Sequence, residues 1–219
     1  MANDAKSYSV SSALQYDHRA AVTSNRTAFP IIQEDGIVQY VPSFLSPTAS
    51  DQLLARSLAE IAWAQDHIKL FGKLMPVPRA SAWFSSINAS YRYSGLVHQP
   101  QEMPNFVREL LHEIVKRTEI DFNSILVNLY QDGTQSMGWH ADDEAELGPE
   151  VTIASLSVGA ERELRFRHRN DKSLRVATSL AHGSLLMMYP PLQEYWMHEL
   201  PKRRSITEPR INFSFRTLQ

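Results

Sequence analysis

The stretch MGWHADDE, residues 137–144, sets one histidine and three carboxylates within five positions, as His140, Asp142, Asp143 and Glu144. Such a run can hold a metal, carry acid–base chemistry, or form the polar tip of a solvated loop. On an extended chain, positions i and i+2 project from one face, so His140 and Asp142 can reach the same ion. The third ligand must come from elsewhere. His198 in YWMHELP stands beside aromatic residues that can wall a pocket; His182 in AHGSLL competes for the role, although its place before Gly183 reads more naturally as a turn. Two histidines and one carboxylate on one face of a metal leave its other positions open. That is the facial triad of non-haem Fe(II) oxygenases, which need open positions for cosubstrate and dioxygen. An H-x-D triplet alone is weak evidence, and spacing does not choose between His198 and His182.

Two further stretches invite chemistry and also have plain structural readings. In PRINFSFR, Arg210, Asn212, Ser214 and Arg216 alternate with Ile211, Phe213 and Phe215. A half-buried edge strand with one wet face has this pattern, and so does a strand lining a polar pocket. RELRFRHRNDKSLR, residues 162–175, carries six Lys or Arg against Glu163 and Asp171. Arg165, Arg167 and Arg169 alternate within it, and Lys202, Arg203 and Arg204 add a second basic run. Such runs bind a phosphate backbone or are merely solvated faces.

These residues need a scaffold. A chain of 219 residues is long enough for one sizeable domain. With 43% hydrophobic and 21% charged residues it has the composition of an ordinary globular protein. The net charge of −2 gives no field that draws nucleic acid to the whole molecule, so any such contact needs a local basic face. The absence of cysteine excludes disulfides, thiolate metal sites and cysteine nucleophiles. No run approaches a membrane span, and the first residues lack the basic-then-apolar order of a signal peptide. The expectation is an intracellular protein, cytoplasmic in a bacterium and nuclear in a eukaryote.

Residues 1–30 are polar and aperiodic and read as a loosely ordered N-terminal arm. GIVQYVPSFL reads as a strand. SPTASDQLLARSLAEIAW reads as a helix opened by Pro47, with Leu53, Leu54, Leu58 and Ile61 on its apolar face. MPNFVRELLHEIVKRT is a second amphipathic helix on Phe106, Leu110, Leu111, Ile114 and Val115. After residue 122, short β-rich runs separated by turn residues suggest a sandwich or jelly roll. The chain therefore reads as a single α+β domain, helices first and β core after.

Taken together, NLYQDGTQSMGWHADDE, IASLSVGAERELRFRHR, LAHGSLLMMY, YWMHELP and PRINFSFR occur in the order found in one enzyme family, with VPRASAW and YRYSG upstream. The sequence resembles the AlkB family of Fe(II)/2-oxoglutarate-dependent nucleic-acid demethylases, closest in pattern to the members that repair duplex DNA. The resemblance implies a double-stranded β-helix, a jelly-roll form, over about 122–217, with a nucleotide-recognition lid over about 64–98, all within one domain from 31 to 219. It implies Fe(II) on His140, Asp142 and His198, and 2-oxoglutarate held by Asn128, Tyr130, Arg210, Asn212, Ser214 and Arg216, with O2 as the oxidant. Ser214 stands where the family often has threonine and keeps the hydroxyl. The implied reaction demethylates 1-methyladenine and 3-methylcytosine in DNA, releasing formaldehyde while 2-oxoglutarate becomes succinate and CO2. The resemblance gives the flipped base Tyr91, Tyr93 and the His140 ring as flat neighbours, with Asp143 and Glu144 facing its positive charge. It gives Leu70, Phe71 and Gly72 as a wedge entering the opened duplex. Phosphate contacts would fall to Arg165, Arg167, Arg169, Lys202, Arg203 and Arg204. The expected partner is alkylated DNA, duplex or single-stranded, acted on by a monomer with no membrane association. The same chemistry on RNA or protein, or a non-catalytic nucleic-acid-binding module on this fold, is the alternative.

Overall fold

The computed structural model describes residues 28–65, 67–70, 73–87, 91–93 and 96–219. In chain order, a hairpin of β1 (Phe29–Ile32) and β2 (Ile37–Val41) is followed by α1 (Pro47–Glu60). β3 (His67–Leu70) pairs with β4 (Lys73–Pro76) before β5 (Ala80–Ser85), and β6 (Tyr91–Tyr93) pairs with β7 (Leu96–His98). α2 (Asn105–Thr118) then leads into β8 (Ser124–Tyr130) and β9 (Met137–His140). β10 (Ile153–Gly159), β11 (Arg162–His168), β12 (Arg175–Leu180) and β13 (Ser184–Tyr189) continue the chain. A single-turn helix, α3 (Leu192–Tyr195), precedes β14 (Trp196–Leu200), and β15 (Arg210–Arg216) ends it. No described helix is long and apolar enough to cross a membrane.

A seven-stranded antiparallel sheet, ordered β1-β2-β13-β10-β15-β8-β5, opposes a four-stranded sheet ordered β12-β11-β14-β9. This is the expected jelly roll. Two hydrophobic cores hold it. The first lies between the large sheet and the helices, where Phe106, Leu111 and Ile114 of α2 meet Ile125, Val127, Ile211 and Phe213. The second lies between the sheets, where Leu126, Ile153 and Leu186 meet Leu164, Phe166 and Trp196. A strand buried on both faces cannot keep polar groups unpaired, so polar residues pointing between the sheets must build a hydrogen-bonded network or take a ligand.

The helices form for local reasons. The Ser46 hydroxyl accepts the Ala49 N–H at 3.2 Å, and Pro47 opens α1 with a preset φ. α2 ends in a left-handed residue, Glu119, after Lys116 and Arg117 in its last turn. The apolar face expected for α1 needs correction. Its buried positions are Ser50, Leu53 and Ser57, whereas Leu58 is 39% exposed. Ser50 and Ser57 fit because their hydroxyls donate back to the carbonyls of Ser46 and Leu53. α2 buries Phe106, Leu110, Leu111 and Ile114 as its pattern indicates, with Val115 half-buried.

β5, in the middle of the span 64–98 expected as a lid, is a strand of the large sheet and pairs with β8. The two small hairpins, β3–β4 and β6–β7, flank it in sequence. β1 starts at Phe29, at the boundary of the N-terminal stretch read as an arm.

Candidate metal centre and cosubstrate pocket

β9 and β14 are neighbours in the small sheet, and their register sets His140 directly opposite His198. The ring centroids are 4.2 Å apart. Asp142 lies just past the end of β9, with its Oδ1 4.0 Å from His140 Nε2. One ligand atom from each of the three residues falls within 4.8 Å of the others. His182, the competing third ligand, is elsewhere: its Nδ1 accepts the Gly159 N–H at 2.8 Å and its Nε2 lies 3.2 Å from Asp51.

The protonation states suit a metal. His140 Nδ1 is 2.8 Å from the Gly138 carbonyl, so Nδ1 carries the proton and Nε2 keeps its lone pair free. Burial lowers the pKa of His140, and lowers that of His198 to about 3, with the neighbouring His140 adding to the effect. Burial by itself would raise the Asp142 carboxyl. The Arg216 guanidinium, 2.8 Å away, outweighs it with help from both histidines and holds the carboxyl at about 2. At neutral pH the set is two neutral imidazoles and one carboxylate, a donor set that fits Fe(II) with positions left open.

Beside this triad, Asn128, Tyr130, Ser155, Arg210, Asn212 and Ser214 line a cavity of about 50 Å³ between the sheets. β15 occupies the centre of the large sheet, and all seven of its residues are buried. It is therefore no edge strand with a wet face: its polar side chains point into the cavity. They form a ladder. Arg210 donates to Ser157 Oγ and to Asn212 Oδ1, each at 2.9 Å. Ser155 Oγ also donates to Asn212 Oδ1, and Asn212 Nδ2 donates to Ser214 Oγ. Tyr130 is opposite Arg210 in the strand pairing, and its ring lies 5.5 Å from the guanidinium.

Arg210 decides what the cavity can hold. It is 2% exposed, its Nε has no hydrogen-bond partner, and it makes no ion pair among the described residues. Burial lowers its pKa to about 10, yet it stays charged at neutral pH. A buried, uncompensated guanidinium costs several kcal/mol unless an anion reaches it, and a carboxylate matches its fork. The residues present fit a small dicarboxylate with one end near the triad and the other at Arg210.

Residues 37–216 match the family model described as the 2OG-Fe(II) oxygenase superfamily. The mouse DNA oxidative demethylase ALKBH2 is 39% identical over 158 residues, 69% of this chain and 66% of its own length. The human ALKBH2 is 37% identical over 174 residues, 76% of this chain and 67% of its own. This chain is a 2OG-Fe(II) oxygenase of the AlkB family. The human alpha-ketoglutarate-dependent dioxygenase alkB homolog 3 is 34% identical, covering 81% of this chain and 64% of that protein. The chain thus spans about two thirds of the length of these relatives. The solved structure of OsALKBH1 superposes with a TM-score of 0.60 at 13% identity, covering 86% of this chain and 99% of that one. A likeness at that identity speaks for the fold alone.

Other residues expected to serve an AlkB-family site are dispersed around this centre. Asp143 pairs with Arg169 at 2.8 Å, and with Glu144 it borders a second cavity, of about 450 Å³, that shares Asp142 with the first. Tyr91 and Tyr93 lie on β6, paired with His98 and Leu96 of β7. Leu70 ends β3, while Phe71 and Gly72 lie outside the described residues. The basic residues divide. Arg165 is held by Glu163 at 2.6 Å and Glu199 at 3.7 Å, and Arg203 also binds Glu163. Arg169 is taken by Asp143 and by the Gln193 carbonyl. Arg167 has no carboxylate among the described residues and stacks over Trp139 at 4.3 Å. Lys202 and Arg204 are exposed.

Several residues at the site were not singled out from the sequence, although all but Gln193 lie in stretches that carry the resemblance. Arg79 is buried, and its Nε donates to Asn128 Oδ1 at 2.9 Å. Gln193 is buried and accepts the Asp142 backbone N–H at 3.0 Å. Ser155 and Ser157 had a faint signal in the alternation of IASLSVG. Arg162 opens the basic run but points inward. It donates to the carbonyls of Gln135 at 2.9 Å, Pro201 at 2.8 Å and Asp132 at 3.3 Å, tying together the loops after β8 and β14. Those loops approach closely at Gly133, where a Cβ would stand 1.7 Å from the Arg203 carbonyl oxygen.

Proposed function

We propose that this chain is an Fe(II)/2-oxoglutarate-dependent dioxygenase that removes methyl groups from N-alkylated bases, 1-methyladenine and 3-methylcytosine, in DNA. The observation that carries the reading is the uncompensated Arg210 buried in the same cavity as the His140, Asp142 and His198 triad. A binding module has no use for that combination. The relatives named as DNA oxidative demethylases support the substrate.

When bound, Fe(II) with 2-oxoglutarate and O2 supplies the oxidation that places one oxygen on the N-methyl carbon and one in succinate, with loss of CO2. The hydroxymethyl group then leaves as formaldehyde and the base is restored. His140, Asp142 and His198 hold the metal. Arg210 and Tyr130 bind the distal carboxylate, with Asn128, Asn212, Ser214 and Arg216 shaping the cavity. Rotation of the nucleotide out of the stack about its backbone would bring the base to the metal. Tyr91, Tyr93 and the His140 ring flank it, and Asp143 and Glu144 face its positive charge. Leu70, Phe71 and Gly72 fill the gap left in the duplex, as apolar wedges do elsewhere. Arg167, Lys202 and Arg204 meet phosphates, because Arg165, Arg169 and Arg203 already hold carboxylates. The protein acts as a monomer inside the cell.

Turnover on matched substrates tests this reading: a 1-methyladenine DNA as single strand and as duplex, the same sequence as RNA, and a methylated peptide. DNA demethylation is the expected result, with Phe71→Ala losing more on duplex than on single strand. Preferential action on the RNA or the peptide overturns the DNA assignment. Equal loss on both DNA forms overturns the wedge.

A further inference from the structure

Gln193 is 5% exposed and sits on α3, which runs straight into β14 and its His198. Its carboxamide oxygen accepts the backbone N–H of Asp142 at 3.0 Å. Its amide nitrogen approaches Met188 Sδ at 3.8 Å, which fixes which way the carboxamide points. Its own carbonyl accepts from Arg169 at 3.2 Å, and the same guanidinium nitrogen binds Asp143 at 2.8 Å. Residues 142 and 143 are therefore attached to α3 twice, once through each residue.

Asp142 needs this attachment. It lies past the end of β9, where no strand partner receives its N–H. A buried N–H without an acceptor is costly, so the segment would rotate to find one. Rotation there would swing the carboxylate away from the two imidazoles.

We infer that Gln193 is a positioning residue for the metal centre: it locks Asp142 to the turn that leads into β14 and its His198, so the three ligands stand at metal-binding spacing. It touches Asp142, not the metal, and the inference rests on the triad being the metal site.

The test is anaerobic Co(II) titration, read by the visible d–d bands and by affinity, on the full chain. Gln193→Met, which removes the acceptor, should weaken Co(II) binding about 10- to 100-fold and alter the bands, as loss of an outer partner does at other metal sites. Gln193→Glu keeps an acceptor of the same length and should restore the bands, which report the ligand geometry. If Gln193→Met does not fold, Gln193→Asn takes its place, since the shorter side chain cannot reach the Asp142 N–H. A Gln193→Met or Gln193→Asn protein with wild-type affinity and bands overturns the inference while leaving the triad intact. Wild-type protein that binds Co(II) no better than Asp142→Ala overturns the triad and the inference with it.

Discussion

Arg216 and Asp142 form a buried ion pair at 2.8 Å, and each is almost wholly enclosed. Asp142 is thereby kept ionised in a place where burial alone would protonate it. The same enclosure keeps His198 neutral, with its pKa at about 3.

Acid should therefore destabilise the metal-free protein through His198. In the unfolded chain this histidine titrates at its ordinary value, while in the folded chain it resists protonation. Stability is full above pH 6.5 and falls as the pH drops toward 3. From His198 alone, the fall between pH 7 and pH 5 should be roughly 2 kcal/mol. Urea unfolding at the two pH values measures it, and a His198→Asn variant should show a correspondingly smaller difference.

Replacing Arg210 should separate cosubstrate binding from stability. Arg210→Met removes the buried cation that a dicarboxylate would neutralise, and affinity for 2-oxoglutarate should fall by about 2–5 kcal/mol. The protein without cosubstrate should lose no more than about 1 kcal/mol, because removing an uncompensated buried charge offsets the lost bonds to Ser157 and Asn212. Calorimetric titration and urea melts of one preparation give both numbers. Equal losses in the two would mean a structural role only.

Arg162→Met should behave in the opposite sense. This guanidinium is 1% exposed and serves three loop carbonyls. Its loss strands those acceptors and should cost about 3–5 kcal/mol of stability. A lowered urea midpoint with an unchanged slope is the expected signature.

Arg162 also marks the limit of what the sequence discloses. Within RELRFRH, Leu164 and Phe166 mark the inner face and Arg162 shares it by period, but an arginine there still reads as part of the basic run. The structure turns Arg162, Leu164 and Phe166 inward and Arg165 and Arg167 outward. For PRINFSFR the ambiguity was of another kind. The period is the same for an edge strand and a pocket-lining one, and only the position of β15 between β10 and β8 separates them. His140 and Asp142 were legible because two residues on one extended segment share a face by local geometry. Spacing left His198 and His182 open; the resemblance named His198, and the pairing of β14 with β9, a contact between distant segments, gives the physical reason. Gln193 left no trace, since a single buried amide has no periodicity, and Arg79 lay within VPRASAW without being singled out. The mislaid face of α1 has a related cause: a serine can be buried when its hydroxyl returns to the preceding turn, and hydrophobicity does not register that.

The outer face of the small sheet should bind phosphate unequally. Arg167 is free of carboxylates among the described residues and rests on Trp139, whereas Arg165 is held by Glu163 and Glu199. Arg167→Ala should weaken DNA binding and reduce the slope of log affinity against log salt by about one. Arg165→Ala should change neither. Fluorescence anisotropy across a salt series distinguishes the two.

The proposed demethylation requires the triad and Arg210 to act together. The most direct measurement is the ratio of formaldehyde released to succinate formed, with the restored base quantified, on a 1-methyladenine oligonucleotide under Fe(II), 2-oxoglutarate and air. One formaldehyde and one restored adenine are expected for each coupled succinate, and none from Asp142→Ala. Succinate without formaldehyde or restored adenine, or undiminished demethylation by Asp142→Ala, would contradict it.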